Sequence, residues 1–458
     1  RISQFVPDLI GESLTEVTSE RATSPEFGTM PVAKPQAGEN PSPKLAMNEI
    51  LTVDHLGQRG DGIARMASGS VFVPYALPGE TVRAVVDGER GQLVEILAPS
   101  GSRIAAICPL FTRCGGCAAQ HMAPDLYREW KRRQVVTALE RAGVAAPVGA
   151  LIDAHGAGRR RVTFHARRQG EAMVVGFMAA RSHELIEVEA CPVLVPGLDR
   201  APAVAQMLAN RMGGAGKPLD IQLTASEAGL DVDLRGHGPL GDKLRLALTQ
   251  LAERLDLARL SNHGEIVVER RPPLQQMGKA LVAPPPGGFL QATALGEETL
   301  AGLVMAALPK GKRAADLFAG CGPFSVRLAE RMQVLAVESD KAAMLALAKD
   351  FGATPGLKPI ATEARDLFRR PLLEHELNGF DVVVLDPPRA GAEAQVRRLA
   401  ASKVRDVIYV SCDAGSFARD AATLAAGGYA LEAVTPVDQF RYSAHVELVG
   451  VFRRGRKG

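Results

Sequence analysis

The sequence predicts a three-part α/β chain: a small β-barrel, a central α/β part with a four-cysteine site, and a C-terminal doubly wound parallel sheet. Three observations predict it. Short β-rich runs separated by glycine and proline turns fill residues 48–103. Cys108, Cys114 and Cys117 cluster just after them. Beyond Pro284-Pro285-Pro286-Gly287-Gly288, strand-like and helix-like runs alternate, as they do around a parallel sheet. The expected divisions are a leader over 1–46, a barrel over 47–104, a central domain over 105–283 and a last domain over 284–458.

The 458 residues are 46% hydrophobic and 23% charged, the balance of a globular chain with a sizeable core. No apolar run is long enough to span a bilayer and no secretory signal opens the chain, so the cytoplasm is the expected location. Net charge is only +3, so basic character must be local. Residues 100–170 hold 12 Lys and Arg against 4 Asp and Glu, and the last seven residues add four cations. Such unevenness points to a polyanion-facing surface.

Residues 1–46 lack periodicity and read as unstructured. Ser24-Pro25-Glu26-Phe27 resembles a cloning scar, which makes Met30 or Met47 the expected native start. Strands are expected at 50–53, 71–74, 81–86 and 93–97, with turns at Gly57, Gly60, Gly62 and Pro78-Gly79. The arrangement is similar to a TRAM domain, an OB-like RNA-binding module.

Cys108, Cys114 and Cys117, with Cys191 later, supply four thiols. Gly115-Gly116 lets the backbone wrap between two of them. Four thiolates hold zinc or an iron–sulfur cluster, and spacing alone leaves both open, although Cys-x5-Cys-x2-Cys fits zinc ribbons poorly. A helix over 125–142 is expected to carry a cationic side of Arg128, Lys131, Arg132 and Arg133, and Arg159-Arg160-Arg161 to open a strand. Further strands are expected at 172–177 and 184–189, a hairpin around Gly229, and an amphipathic helix over 240–258.

In the last domain, strands are expected at 313–318, 334–337, 380–385 and 406–411, and an antiparallel closing pair at 429–436 and 444–452. Asp316-Leu317-Phe318-Ala319-Gly320-Cys321-Gly322 turns from strand to helix, and its glycines admit a ligand close to the backbone. Glu338 ends the next strand, where an acid accepts ribose hydroxyls. Together they look like the S-adenosylmethionine pocket of class I methyltransferases, a Rossmann-like fold. Asp386-Pro387-Pro388-Arg389 ends the third strand, and Arg389 stands where an N-methyltransferase carries an aromatic residue. Cys412 follows a buried strand and precedes a helix, whose N-terminus is expected to stabilise its thiolate. Thiolate addition to C6 of a uracil makes C5 nucleophilic, and a base must then remove the C5 proton. Glu447, in an otherwise apolar strand, is the expected base, its pKa raised by burial.

The four cysteines, the Asp316–Gly322 loop, Asp386 to Arg389, Ser411-Cys412 and His445-Val446-Glu447 resemble the RNA (uracil-5)-methyltransferase family over residues 48–452. The nearest members are the iron–sulfur, TRAM-containing 23S rRNA enzymes. The resemblance implies a [4Fe-4S] cluster on Cys108, Cys114, Cys117 and Cys191, Cys412 as nucleophile and Glu447 as base. It implies S-adenosylmethionine contacts at Gln291, Phe318, Glu338, Asp366 and Asp386. It implies a monomer that makes 5-methyluridine in RNA, with 23S rRNA the expected target. The alternatives are a tRNA T-loop enzyme and an inactive iron–sulfur RNA-binding protein. Pro323, Thr293 and Asp413 stand where the family usually has Asn or Thr, Asn, and Asn.

Overall fold

The computed structural model describes residues 47–213 and 218–455. The expected leader and the end of the basic tail, 456–458, lie outside the described residues. Strands β1 (Met47–Leu56), β2 (Gly62–Met66), β3 (Gly69–Val73), β4 (Thr81–Asp87) and β5 (Arg90–Ala98) close into a barrel in the order β1-β2-β3-β5-β4. Alternate side chains point inward, among them Val53, Ala64, Val71, Val73, Val82 and Ala84. The stretch expected only as glycine turns contains β2, because Gly62 lets the strand pass close to Ala76 and Val53. Glu80 locks the barrel exit: its buried carboxylate accepts the Leu77 N–H at 2.8 Å and pairs with Arg103 at 2.6 Å.

Helix α1 (Pro124–Arg141) follows, with proline at its first turn. The two-residue β6 (Ile152–Asp153) comes next. Then β7 (Arg161–Gln169), β8 (Ala172–Met178), β9 (Leu185–Glu187), α2 (Ala201–Met212), β10 (Leu219–Ser226), β11 (Gly229–Arg235), α3 (Asp242–Arg254), β12 (Arg259–Asn262) and β13 (Glu265–Glu269) build the centre. Its seven-stranded sheet runs β13-β12-β11-β10-β7-β8-β9, and α2 and α3 share its apolar core. The hairpin expected around Gly229 is β10–β11.

A small hairpin, β14 (Gln275–Met277) and β15 (Ala280–Val282), leads to α4 (Ala294–Ala307). The alternating part then runs β16 (Arg313–Leu317), α5 (Pro323–Leu328), β17 (Gln333–Glu338), α6 (Lys341–Gly352), β18 (Ile360–Ala364), α7 (Glu374–Leu377), β19 (Val382–Leu385), α8 (Glu393–Ala401), β20 (Asp406–Ser411), α9 (Ala414–Ala426), β21 (Tyr429–Asp438) and β22 (Glu447–Arg454). The sheet order is β18-β17-β16-β19-β20-β22-β21-β6. Strands β16 to β20 are parallel, and β22 inserts antiparallel between β20 and β21, as expected for the closing pair. The strand order reverses between β16 and β19, the point where open α/β sheets bind ligands.

Among the described residues, the barrel, the central sheet and the C-terminal sheet belong to one compact unit. Strand β6 adds to the edge of the C-terminal sheet beside β21, and Val135, Ala138 and Leu139 of α1 enter the same core as Phe417 and Leu424 of α9. The expected cationic side of α1 holds for Arg128, Arg132 and Arg133, which stay at the surface, and is corrected at Lys131. Lys131 is fully buried and bonds Asp438 at 2.8 Å, while Arg128, Arg132 and Arg133 pair with Asp125, Glu129 and Glu140. Arg160 is likewise internal, bonded to Glu297 at 2.6 Å and to the Gln291 carbonyl at 3.0 Å. Lys131 and Arg160 are held by acids within the fold, because an unpaired buried charge is costly.

Candidate active site

The loop after β16 is shaped by its backbone. Phe318 adopts φ +65°, Gly320 +54° and Gly322 +89°. A β-carbon on Gly322 would meet Leu347 at 2.5 Å, so only glycine lets the loop close onto α6. Asp316 ends buried beneath the loop, where it accepts the Ser325 hydroxyl. Burial pushes its carboxyl up to about 7. Glu338, at the end of β17, accepts the Gly320 N–H at 3.2 Å, the Asp340 N–H at 3.0 Å and the Ser339 hydroxyl at 2.8 Å. Its carboxylate is thereby fixed at the mouth of the loop. Phe318 and Phe368 face each other at 5.5 Å between ring centroids and wall the far side. Asp366 caps the turn into Phe368 through the Phe368 N–H at 3.0 Å.

Phe318, Gly320, Glu338, Asp366 and Phe368 line one cavity of about 300 Å³. Gln291, Phe318, Glu338, Asp366, Asp386, Cys412 and Glu447 all face it, so the residues singled out in sequence from five strand ends and two loops share one space. Its walls are mainly apolar with a few aimed polar groups, as in small-molecule sites. Asp386 accepts the Gln291 side-chain amide at 3.1 Å. Burial, then the neighbouring Glu447 and Asp316, raises the Asp386 carboxyl well above the usual range.

The reacting end lies where β20 and β22 run side by side. Burial pushes Glu447 up to about 7, against the opposing influence of Gln439, Lys131 and Arg389. The Glu447 Oε1 atom accepts from Gln439 at 3.0 Å, while Oε2 is buried and has no partner. One oxygen is held and the other is free. Beside it, Cys412 is corrected from its expected state. Its thiol is pushed up to about 12, by burial first and then by Glu447 and Asp386, with only Arg389 opposing. The α9 N-terminus does not rescue it, because Asp413 takes the Ser416 N–H at 2.8 Å and adds a negative charge next door. Arg389 donates to His445 Nε2 at 2.6 Å. Burial, Arg389 and Lys131 hold His445 down at about 4, so its imidazole is neutral and able to accept.

The expected four-cysteine metal site is not formed as drawn. Among the described residues, no group of three or more His, Cys, Asp or Glu side chains has the geometry to hold a metal ion. The four thiols are nonetheless neighbours: Cys117 feels Cys191, Cys114 and Cys108, and Cys191 feels Cys114 and Cys108. Burial raises the Cys114 and Cys191 thiols and pushes Cys117 up to about 11. The loop between them is held in place by β8, with the Gly115 N–H on the Met178 carbonyl at 2.9 Å.

Sequence reasoning missed Gln439, which touches both Gln291 and Glu447. It also missed the partners of Lys131. The available signal was the polar pair Asp438-Gln439 closing an apolar strand, residues that a solvated turn also carries.

The fold and cavity define a class I methyltransferase architecture with an N-terminal barrel. Residues 287–455 match the family model described as tRNA (Uracil-5-)-methyltransferase. An uncharacterised RNA methyltransferase of Brucella suis biovar 1 is 46% identical over 411 residues, spanning 89% of this chain and 98% of that protein. The 23S rRNA (uracil(1939)-C(5))-methyltransferase RlmD of Chromohalobacter salexigens is 34% identical, with 87% of each chain covered. The solved Pyrococcus abyssi tRNA (uracil-54, C5)-methyltransferase, in complex with S-adenosyl-L-homocysteine, superposes with a TM-score of 0.67 at 21% identity, over 89% of this chain and all of that one. The chain belongs to the RNA (uracil-5)-methyltransferase family, and its activity class is S-adenosylmethionine-dependent methyl transfer to uracil C5 in RNA. No helix among the described residues is long and apolar enough to cross a membrane.

Proposed function

We propose that this chain forms 5-methyluridine in 23S rRNA through a covalent bond between Cys412 and C6 of the target uracil. The observation that carries the reading is the shared cavity: Cys412 and Glu447 face it together with Gln291 and Asp386. S-adenosylmethionine, when bound, supplies an electrophilic methyl group on its sulfonium. Glu338 is suited to the ribose hydroxyls, Phe318 to the adenine face, and Asp366 to the adenine edge. The Cys412 thiol gives up its proton to solvent, its sulfur forms a bond to C6, and the displaced π electrons make C5 nucleophilic. After C5 is methylated, Glu447 Oε2 takes the C5 proton, the C5=C6 bond re-forms and the C6–S bond breaks, returning thiolate to Cys412. The uridine must leave its stack to reach the thiol, and the barrel is suited to hold flanking RNA.

The rRNA target is favoured by the 34% identical 23S enzyme, whereas the 21% identical tRNA enzyme speaks for the fold alone. A tRNA target is the second reading, favoured by the description of the matching family. Mapping 5-methyluridine in total RNA from a deletion strain separates the two. Loss from 23S rRNA is expected, and loss confined to tRNA would overturn the assignment. Cys412→Ala is expected to abolish methylation. Glu447→Gln is expected to leave a protein–RNA adduct stable on denaturing gels, and no adduct would count against Glu447.

A [4Fe-4S] cluster on Cys108, Cys114, Cys117 and Cys191 is part of the proposal. The donor chemistry fits. Besides the four neighbouring thiols, the Gly116 N–H points at Cys114 Sγ from 3.5 Å. Arg159 lies beside Cys117 and Cys191 with its Nε buried and without a partner, a cation suited to an anionic group. The cluster would supply a rigid crosslink of the Cys108–Cys117 loop to the Cys191 turn. Iron and acid-labile sulfide are expected in anaerobically purified protein and absent after replacing the four cysteines by serine; zinc in their place would reject the cluster.

A further inference from the structure

Gln439, the first residue of the loop that joins β21 to β22, lies fully buried between the donor end of the cavity and the base. Its side-chain amide makes three contacts. The Nε2 group donates to Gln291 Oε1 at 2.6 Å and to Glu447 Oε1 at 3.0 Å, and its Oε1 accepts the Thr293 N–H at 3.4 Å. Gln291 in turn donates to Asp386 at 3.1 Å. The orientation of the amide is not free. Turned over, its oxygen would face the oxygens of Gln291 and Glu447, and its NH2 would face the Thr293 N–H. The neighbourhood is built for this placement: a β-carbon on Gly296 would meet Gln439 Cβ at 2.7 Å.

Both N–H bonds of Gln439 are spent, and only one reaches Glu447. The carboxylate therefore has one oxygen satisfied and one, Oε2, buried and bare. A bare buried carboxylate oxygen is costly and is tolerated where chemistry uses it. Resting on the assignment of Glu447 as the base, we propose that Gln439 is a positioning residue for product release. It fixes Glu447 by its Oε1 so that Oε2 is the oxygen that takes the C5 proton, and through Gln291 it ties the carboxylate to the Asp386 end of the cavity. The proton moves from C5 to Oε2, the C5–H electrons form the C5=C6 bond, and the sulfur of Cys412 leaves with the C6–S pair. The charged and titratable groups facing Glu447 are Lys131 from α1, Arg389 and Asp386 from the end of β19, and Cys412 from the end of β20. Gln439 is the neutral donor among them, so its removal leaves the net charge of the site unaltered.

The test uses the full chain, methyl-labelled S-adenosylmethionine and total rRNA from a deletion strain. Adduct formation and adduct breakdown are timed separately across pH. In Gln439→Met, breakdown is expected to slow at least tenfold more than formation, so the labelled adduct accumulates. The pH limb of breakdown moves up by about one unit, since a hydrogen bond to the charged carboxylate is lost. Gln439→Glu keeps the size and polarity and carries the test should the methionine variant not fold. It sets a second carboxyl against Glu447, so its limb moves up further. Wild-type breakdown with an unmoved limb in either folded variant overturns the role of Gln439. If Glu447→Gln also yields no trapped adduct, the base assignment fails first, and the two failures are told apart by that variant.

Discussion

Cys412 and Glu447 need opposite protonation changes, and their surroundings set the pH at which each occurs. The thiol, pushed up to about 12 by burial and two neighbouring carboxyl groups, is protonated in the free protein at neutral pH. Glu447, raised to about 7, is half ionised there. Adduct formation is therefore expected to climb through pH 7 to 9 without a plateau, while adduct breakdown rises to a limb near 7 and then levels. Rapid-quench timing of both steps checks this, and a plateau in formation below pH 8 would show that bound RNA lowers the thiol. Asp316 carries a second consequence. Its folded carboxyl is raised from 3.8 to about 7 by burial, so the folded state holds a proton that the unfolded chain has lost. Its stabilising contribution is complete below about pH 4 and is lost as pH rises toward 7, at up to about 1.4 kcal/mol per pH unit. Asp316→Asn should remove that share of the slope, measured as urea midpoints at pH 5 and 7. At this scale the sequence was informative about which atoms react, because cysteine and glutamate are scarce in apolar strands. It was uninformative about Gln439 and the state of Cys412, which depend on neighbours more than a hundred residues away or on the far side of a turn.

Among the elements, α1 reads as a basic, surface-facing helix, yet it is a buttress. Lys131 reaches through the core to Asp438 and also donates to the Phe440 and His445 carbonyls. Tyr127 donates to the other Asp438 oxygen at 2.6 Å and accepts the Tyr442 N–H at 2.9 Å. One helix thus holds both ends of the loop between β21 and β22, the loop that carries His445 and leads into Glu447. Lys131→Met leaves Asp438 buried without its cation, and breaking such a pair costs about 3–5 kcal/mol. Chemical denaturation should show a loss of that size, and a loss under 1 kcal/mol would mean that Tyr127 alone satisfies Asp438. The strands of the alternating part were readable from their apolar runs, Val382–Leu385 and Asp406–Ser411 above all. Strand β6 was not, since two residues carry no periodicity, and β18 was not, since Ile360–Ala364 is half-exposed at a sheet edge. The run Arg159–Arg161 leads into β7 as expected, but Glu297, the buried acid that receives Arg160, lies 137 residues further on and leaves no mark in that run.

Across the whole molecule, the order of segments in the chain and the order of pieces in the fold differ. The C-terminal sheet takes its edge strand β6 and its covering helix α1 from before the central sheet, and Arg160, at the entry to β7, returns to Glu297 behind the cavity. Glu297 is shared, since Arg327 of α5 bonds its other oxygen at 3.2 Å. A fragment of 284–458 alone would therefore expose the apolar face of α9 that Val135, Ala138 and Leu139 cover. It would also leave β21 as an open edge, and leave Asp438 and Glu297 as buried acids without Lys131 or Arg160. A chain beginning at 105 keeps all of these contacts and gives up the barrel, whose core is its own cluster, together with the seam where Leu77 packs on Tyr127 and Trp130. The 284–458 fragment is expected to be aggregated or molten, with weak amide-exchange protection in β20 and β22. The 105–458 chain is expected to fold, bind S-adenosylhomocysteine by calorimetry, and lose affinity for RNA more than for that ligand. A 284–458 fragment that folds cooperatively and binds the ligand like the full chain would show that α1 and β6 decorate the methyltransferase sheet and do not complete it.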